Sequence, residues 1–541
     1  MTVHPPIAPR QPHTTTVHGR TLSDDYFWLR QRDDPAVRTY LEAENAWTDR
    51  VLAPTEELQQ RLFAEIKSRI RETDISVPYR LRRFVYFSQT EAGKQHVTYF
   101  RRPADAPEDS ADEVLLDVNR LAEHEKYLAV GTMRISVDDN LLAYTTDNTG
   151  FRDYLLHVLD LRTRQPVAET IPHVRSVAWA NDNATLFYVV DNAAKRPYRL
   201  FRHRLGTDPS TDTLVYEERD ERFRLDVQRT RSGRFVLLEA FSHTTAEIRV
   251  GSADHPEQGF RVVAERRQDH DYRVSHRGES FYIRTNDRGR NYRLVTAPVA
   301  DPGPANWTEV VPHRDDVMLE RARCFRNFCV LTERTGGLTR LRFLTDDGRD
   351  HYLALPEPVY QLVSGDNHEF DATEYRFVYQ SLTTPPSVFD FHVARHTRKL
   401  LKRTEVLGGY DKDDYVAERV HAVAADGTAI PISIVHRRDV PRDGTAPLFL
   451  TCYGAYGLPH PIAFSHALLS LLERGVVYAI AHVRGGSDLG KHWHDAGRMH
   501  QKRNSFTDFI TCAEHLAREG YADSRRMLAE GESAGGLLVG A

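Results

Sequence analysis

Met527-Leu528-Ala529-Glu530-Gly531-Glu532-Ser533-Ala534-Gly535-Gly536-Leu537-Leu538 is the stretch that decides how the C-terminal third of the chain is read. A short apolar strand, Met527 to Glu530, runs into Gly-x-Ser-x-Gly, and an apolar helix follows. That context makes the pentapeptide a nucleophile elbow, a sharp strand-to-helix turn that lifts a serine hydroxyl above a sheet. Small residues two before and two after the serine let the chain pass close to its neighbours. The helix behind it directs backbone N–H groups toward the place where an oxyanion would develop. An ordinary Gly-rich turn has the same composition. The strand before and the helix after favour the elbow.

Working back from the elbow, residues 406–541 alternate strands and helices. Tyr415 to His421 and Ile430 to Arg437 are strands around an Asp426-Gly427 turn, a hairpin signal. A buried-type strand (Leu448 to Cys452), a helical run through Leu468, Leu471 and Leu472, a second apolar strand (Val476 to Val483) and a helix from Ser505 to Glu519 follow. Alternation of this kind predicts a parallel sheet with helices on its faces.

Residues 75–405 have another texture. A polar turn followed by four to six residues rich in Val, Leu, Phe and Tyr recurs at Arg83, Asp138, Asn181, Ser232, Arg277, Asn327 and Glu374, with gaps of 55, 43, 51, 45, 50 and 47 residues. Units of 40–50 residues made of short strands signal a β-propeller, one four-stranded blade per unit. A lone blade cannot bury both faces, so the units must close into a ring. Seven recurrences predict seven blades; a pair of β-sandwiches is the competing reading. Residues 1–74 read as helical: Asp34-Pro35 is an N-cap with Pro at the first helical position. Val37, Leu41, Ala43 and Trp47 then recur at near-helical spacing. Beyond Pro54, Leu58, Leu62, Phe63, Ile66 and Ile70 share one face.

Composition narrows the class. Among 541 residues, 40% are hydrophobic and 28% charged, with 72 Lys and Arg against 77 Asp and Glu, a net charge of −5. Nothing there calls for nucleic acid or an anionic membrane as partner. No apolar run approaches the ~20 residues of a membrane span, and the N-terminus has no apolar export core. Four cysteines (Cys324, Cys329, Cys452, Cys512) cannot make a disulfide framework and suit a reducing, cytoplasmic compartment. No metal or other cofactor is implied: H-E-x-x-H is absent, Cys324 and Cys329 lack a second ligand pair, and His492-Trp493-His494 has no carboxylate constellation. Arg484-Gly485-Gly486 lacks the Lys and the spacing of a phosphate loop and reads as an active-site rim.

Several motifs in one order resemble the prolyl oligopeptidase family of serine peptidases, and within it the oligopeptidase B subfamily. They are Tyr26-Phe27-Trp28-Leu29-Arg30, VGTMRISVDDNLLAYTTDNTG (130–150), Tyr415-Val416-Ala417-Glu418-Arg419, YGAYG (453–457), Leu472-Glu473-Arg474-Gly475, HVRGGSDLGKHWHDAG (482–497) and SAGGLL (533–538). The resemblance runs from about residue 20 to the last residue. It implies a seven-bladed propeller (75–405) capping an α/β-hydrolase domain (406–541), with residues 1–74 packed against the latter. It assigns Ser533 as nucleophile, and the Tyr453 hydroxyl with the Ala534 N–H as oxyanion hole. It implies hydrolysis of short peptides after Arg or Lys, with the propeller as a size filter. Two positions depart from the subfamily. Pro461 and Ala463 stand where it usually carries two Asp residues of a basic subsite, and Glu532 stands where the family commonly has Gly.

The remaining triad members are not in view. In this fold they follow the nucleophile in the order Ser, Asp or Glu, His, and Ser533 lies eight residues from the end. His482, His492, His494, His500 and His515 read as rim, loop or helix-surface residues. The expectation is therefore a chain truncated after the elbow and inactive alone, with the acid and base in a further ~150 residues. A prolyl-specific peptidase is the neighbouring alternative; a non-catalytic propeller scaffold with a vestigial hydrolase half is the rival from another class. Oligomeric state is not readable.

Overall fold

The structure, a computed structural model, describes residues 4–107, 110–167, 170–346 and 348–541. The chain divides into two compact units, residues 1–70 and 71–541.

In the first unit, helices Pro35–Leu52 and Glu56–Ser68 form where expected. Asp34 caps the first by accepting from the Ala36 N–H at 2.8 Å, with Pro35 needing no partner at the first position. The all-helical reading of this segment needs one correction. An antiparallel hairpin, His13–Val17 with Arg20–Asp24, precedes the helices. Its tight turn puts both His18 and Gly19 at positive φ (51° and 75°), the geometry that matches strand twist. Every residue of the hairpin is exposed, so it carries no apolar alternation to read. The Trp28 indole is buried and donates to the Pro9 carbonyl at 3.0 Å.

In the second unit, seven successive sheets form the propeller, spanning 74–117, 129–160, 174–217, 224–262, 272–311, 318–352 and 361–403. Five blades have four strands. The first has five, and the second has a regular ladder of only three. Among the described residues that blade continues beyond Asp160 as isolated bridges at Pro166 and Ile171. Apolar clusters fill the spaces between neighbouring blades, as between the fourth and fifth, where Leu237, Ile248, Phe281 and Ile283 pack together. Facing residues of the sixth blade include Cys324 and Cys329, register partners with buried free thiols.

Among the described residues the ring closes without a shared strand: no strand of the seventh blade joins the first sheet. Side chains make the seam instead. Lys402 Nζ meets Asp74 Oδ2 at 2.5 Å, Arg376 donates to the Pro78 carbonyl at 2.7 Å, and Glu369 accepts from the Arg82 N–H at 2.6 Å.

Residues 415–531 form a five-stranded mixed sheet in the order Tyr415–Val423, Ala429–Arg437, Val477–Ala481, Leu448–Cys452, Met527–Gly531. The first three neighbours pair antiparallel and the last three parallel. From Leu448–Cys452 the chain crosses to one side to make Val477–Ala481, then returns to the other for Met527–Gly531. The C-terminal end of Leu448–Cys452 is thus a topological switch point, where open α/β sheets bind their ligands. Helix Arg503–Arg518 covers one face, burying Cys512 and Leu516 against Ile432, Leu450 and Ala479.

Candidate active site

Two adjacent parallel strands deliver the two side chains singled out in the sequence. Cys452 pairs with Gly531 at the last register position, so Tyr453 and Glu532 leave the sheet side by side, on strands about 4.8 Å apart. Ser533 follows at φ 53°, ψ −115°, a conformation a non-glycine residue holds only when its surroundings impose it. Helix Ala534–Gly540 starts at once. Ser533 is exposed, and its hydroxyl makes no hydrogen bond among the described residues.

The glycines explain how the turn fits. A Cβ on Gly531 would lie 2.1 Å from the Gly535 carbonyl oxygen, and one on Gly535 would lie 2.6 Å from that of Cys452. The same Gly535 position is 3.5 Å from the Tyr453 Cα, which fixes the backbone of Tyr453 against the elbow. Small residues two before and two after the serine are thus a steric demand of crossing backbones. A second knot of the same kind supports the Tyr453 loop. Gly454 (φ 65°) sits against Val483 and Leu538. A Cβ on Gly485 (φ 104°) would meet the Gly454 oxygen at 2.1 Å. Lys502 Nζ donates to that carbonyl at 2.6 Å, and Ser505 Oγ donates to the Arg484 carbonyl at 2.6 Å.

Arg484 is not a rim residue. Its guanidinium is buried and gripped bidentately by Asp508 at 2.6 and 2.9 Å, with Asp426 on the other side. The hydrogen bond from Arg484 draws the Asp426 carboxyl down to about 2. This cluster ties the hairpin turn, the Gly485 loop and helix Arg503–Arg518 together. It positions the loop beneath Tyr453 and leaves no free guanidinium for a ligand.

The histidines divide differently from expectation. His492 and His500 are exposed, and His515 is half-buried on its helix. His494 is buried, and burial with the adjacent Lys491 ammonium pulls its imidazole down to about 4. His482 is the main correction: it lies in the core at 1% exposure. Its Nδ1 is 2.8 Å from Asp488 Oδ1 and its Nε2 2.8 Å from Ser433 Oγ. Ser433, His482 and Asp488 thus reproduce the hydrogen-bond order of a catalytic triad. Ser433 is wholly buried in the middle of Ala429–Arg437, and Asp488 is 2% exposed, so no carbonyl can reach the hydroxyl. Burial pushes the Asp488 carboxyl up, but the hydrogen bond and charge of His482 outweigh it and leave it below the ordinary value. The chain is a satisfied polar thread through an apolar core. Pro461 is exposed and Ala463 half-buried, so neither supplies a carboxylate. Among the described residues no three His, Cys, Asp or Glu side chains gather as a metal site.

Comparison with known proteins matches this geometry to its relatives. Residues 5–404 match the pattern described as prolyl oligopeptidase, N-terminal beta-propeller domain, and residues 462–541 that of the prolyl oligopeptidase family. Dipeptidyl aminopeptidase BI of Pseudoxanthomonas mexicana is 40% identical, with 99% of this chain aligned to 77% of that protein. Protease 2 of Moraxella lacunata is 34% identical over 99% of this chain and 78% of its own length. Among solved structures, oligopeptidase B from Leishmania major superposes with a TM-score of 0.94 at 31% identity, covering 99% of this chain and 80% of that one.

Proposed function

The chain belongs to the prolyl oligopeptidase family of serine peptidases, and from that premise we propose that Ser533 is its nucleophile, acting on short peptides. Ser533 Oγ attacks the scissile carbonyl carbon while the Tyr453 hydroxyl and the Ala534 N–H take the charge that develops on its oxygen. Collapse of the tetrahedral species expels the amine and leaves an acyl ester on Ser533, which water then hydrolyses. The observation that carries this reading is the strained, exposed Ser533 beside Tyr453 at the switch point of the sheet.

The finer assignments are supported more narrowly. Cleavage after Arg or Lys rests on the likeness to oligopeptidase B, and Pro461 and Ala463 argue against a requirement for paired basic residues. The propeller acts as the size filter. A cytoplasmic site suits four buried free thiols; no helix among the described residues is long and apolar enough to cross a membrane. The general base lies outside these 541 residues, which fits a Ser533 hydroxyl without an imidazole partner and relatives of which this chain covers 77–80%. On that reading the chain alone is inactive.

A fluorophosphonate probe tests the core assignment. Labelling of the peptidase with its complete hydrolase domain, lost in Ser533→Ala, supports it; no labelling of either protein supports a non-catalytic scaffold. Turnover by the 541-residue chain alone, abolished in Ser533→Ala, would refute only the incompleteness. Chromogenic peptides ending in Arg or Pro separate basic from prolyl specificity. The Pseudoxanthomonas relative's name favours one further reading, release of N-terminal dipeptides. Blocking the substrate's amino group would stop a dipeptidyl aminopeptidase and leave an endopeptidase unaffected.

A further inference from the structure

The propeller axis holds a second feature, remote from Ser533. Contacts to the hydrolase half come from turns between second and third strands of the blades. His243 stacks on Tyr456, Arg290 pairs with Asp495, and Asn291 accepts from the Lys491 N–H at 2.9 Å. Turns between first and second strands lie on the opposite face, because successive strands run antiparallel. On that face two connected compartments of about 760 and 400 Å³ open on the axis, sharing Gln228, Arg229, Thr230, Arg231 and His368. Their size lies in the range of small-ligand sites, roughly 300–1,000 Å³.

Six arginines line these compartments; Arg82 and Arg234 are paired with Asp139 and Glu279, which leaves Arg134, Arg229, Arg231 and Arg323. Arg134, Arg229 and Arg323 stand at or next to the ends of the innermost strands of the second, fourth and sixth blades, and Arg231 follows on the fourth. Alternate blades place three guanidiniums around the axis. None of the four has a carboxylate within 4.0 Å among the described residues, although arginines nearby on the ring do, as Arg82 with Asp139 and Arg376 with Asp390. Their partners are neutral. Arg134 donates to the Met133 carbonyl at 2.9 Å, Arg229 to that of Gly233 at 3.0 Å, Arg231 to that of Asn367 at 2.8 Å, and Arg323 to Ser364 Oγ. Among the described residues, Arg229 Nε and His276 Nε2 are buried with no hydrogen-bond partner.

Desolvation is visible in their acidity. Burial lowers Arg229 and Arg231 to about 10, and the Arg323 charge adds to the effect on Arg231. Arg134 is open to solvent within the cavity, yet the walls around it also lower its pKa. The acids on the lining are mostly engaged: Asp254 by Asn181, Glu369 by the Arg82 N–H, and Asp371 by Arg326. Asp366 faces His368 at 3.7 Å. Asp254 and Asp226 act on Arg229 and Arg134 only from beyond contact distance, and guanidiniums clustered with no carboxylate in contact are costly to hold together unless an anion joins them.

We propose that this axial cavity binds a compact oligoanion of the condensed-phosphate class, held by Arg134, Arg229, Arg231 and Arg323. A planar guanidinium matches phosphate oxygens two at a time. Guanidiniums surrounding a point suit an anion charged on all sides better than an extended acidic peptide, which needs them in a row. The site is independent of Ser533 and of the peptidase reading.

Sodium triphosphate is the probe, titrated calorimetrically into the whole chain at low ionic strength. The expected result is one site, weakened about tenfold or more at high salt because the interaction is ionic. Arg323→Gln and Arg134→Gln should each weaken it by about tenfold, the scale of a charge-assisted hydrogen bond. Arg134 bonds only its neighbour's carbonyl, so its variant keeps the fold and carries the test if others do not. Absence of binding, binding unchanged in both variants, or equal affinity for tetraglutamate would each overturn the proposal.

Discussion

Two serines in the hydrolase half sit next to opposite kinds of surroundings. Ser433 has a histidine at 2.8 Å and an aspartate behind it, and no access; Ser533 has access and strain, and no imidazole partner among the described residues. The contrast teaches that the hydrogen-bond pattern of a triad is cheap to build inside a protein. A buried hydroxyl, imidazole and carboxylate satisfy one another, so their alignment reports desolvation as readily as catalysis. An exposed serine at φ 53° has no such structural excuse, because strain of order 1–3 kcal/mol is retained where something depends on it.

The comparison breaks most directly by substitution. In an active preparation of the peptidase, Ser533→Ala should lower kcat by about 10⁶-fold. Ser433→Ala in the same assay should leave kcat within a few-fold. A large loss there would transfer the nucleophile to the wrong serine. Next in size is Asp488→Ala, which strands His482 in the core. Breaking such a buried pair costs about 3–5 kcal/mol, read as a fall in urea midpoint, with fluorophosphonate labelling of the folded fraction unchanged. Tyr453→Phe should reduce kcat by about 10²–10³-fold with KM little altered, since only the oxyanion uses that hydroxyl. An unchanged kcat would remove Tyr453 from the site.

The smallest effect is a pH dependence. Asp488 has a folded pKa below its ordinary 3.8, so the unfolded chain binds the proton more readily. Its contribution to stability is complete above that ordinary value and is lost as pH falls through the lower folded one. Urea midpoints measured from pH 5 to pH 3 should therefore fall less steeply in Asp488→Asn than in the parent protein.

What could be read in advance followed local rules. Asp34-Pro35 announces a helix start whatever lies elsewhere, and seven recurrences at blade spacing announce seven blades. Gly531, Ser533 and Gly535 are three letters of one turn, so the elbow was legible too. The thread through His482 was not. Its members are 49 and 6 residues apart, and they meet only because Ala429–Arg437 pairs antiparallel with Val477–Ala481. Arg484 was misread for the same reason: Asp508, which makes it a strut, is 24 residues away on a helix. The guanidiniums at Arg134, Arg229 and Arg323 look unremarkable in the sequence. Only closure of the ring makes them neighbours of one axis.

The seam of that ring carries a consequence of its own. A fastening made of Lys402, Arg376 and Glu369 is one that added electrolyte can loosen, whereas junctions such as that of the fourth and fifth blades, which also carry an ion pair (Arg273–Glu239), are filled by an apolar cluster. Amide deuteration in rising salt should therefore spread from strands Asp74–Ile75 and Thr397–Arg403 before the other blades. The propeller would behave as a bracelet whose clasp answers to ionic strength, while its remaining links stay shut.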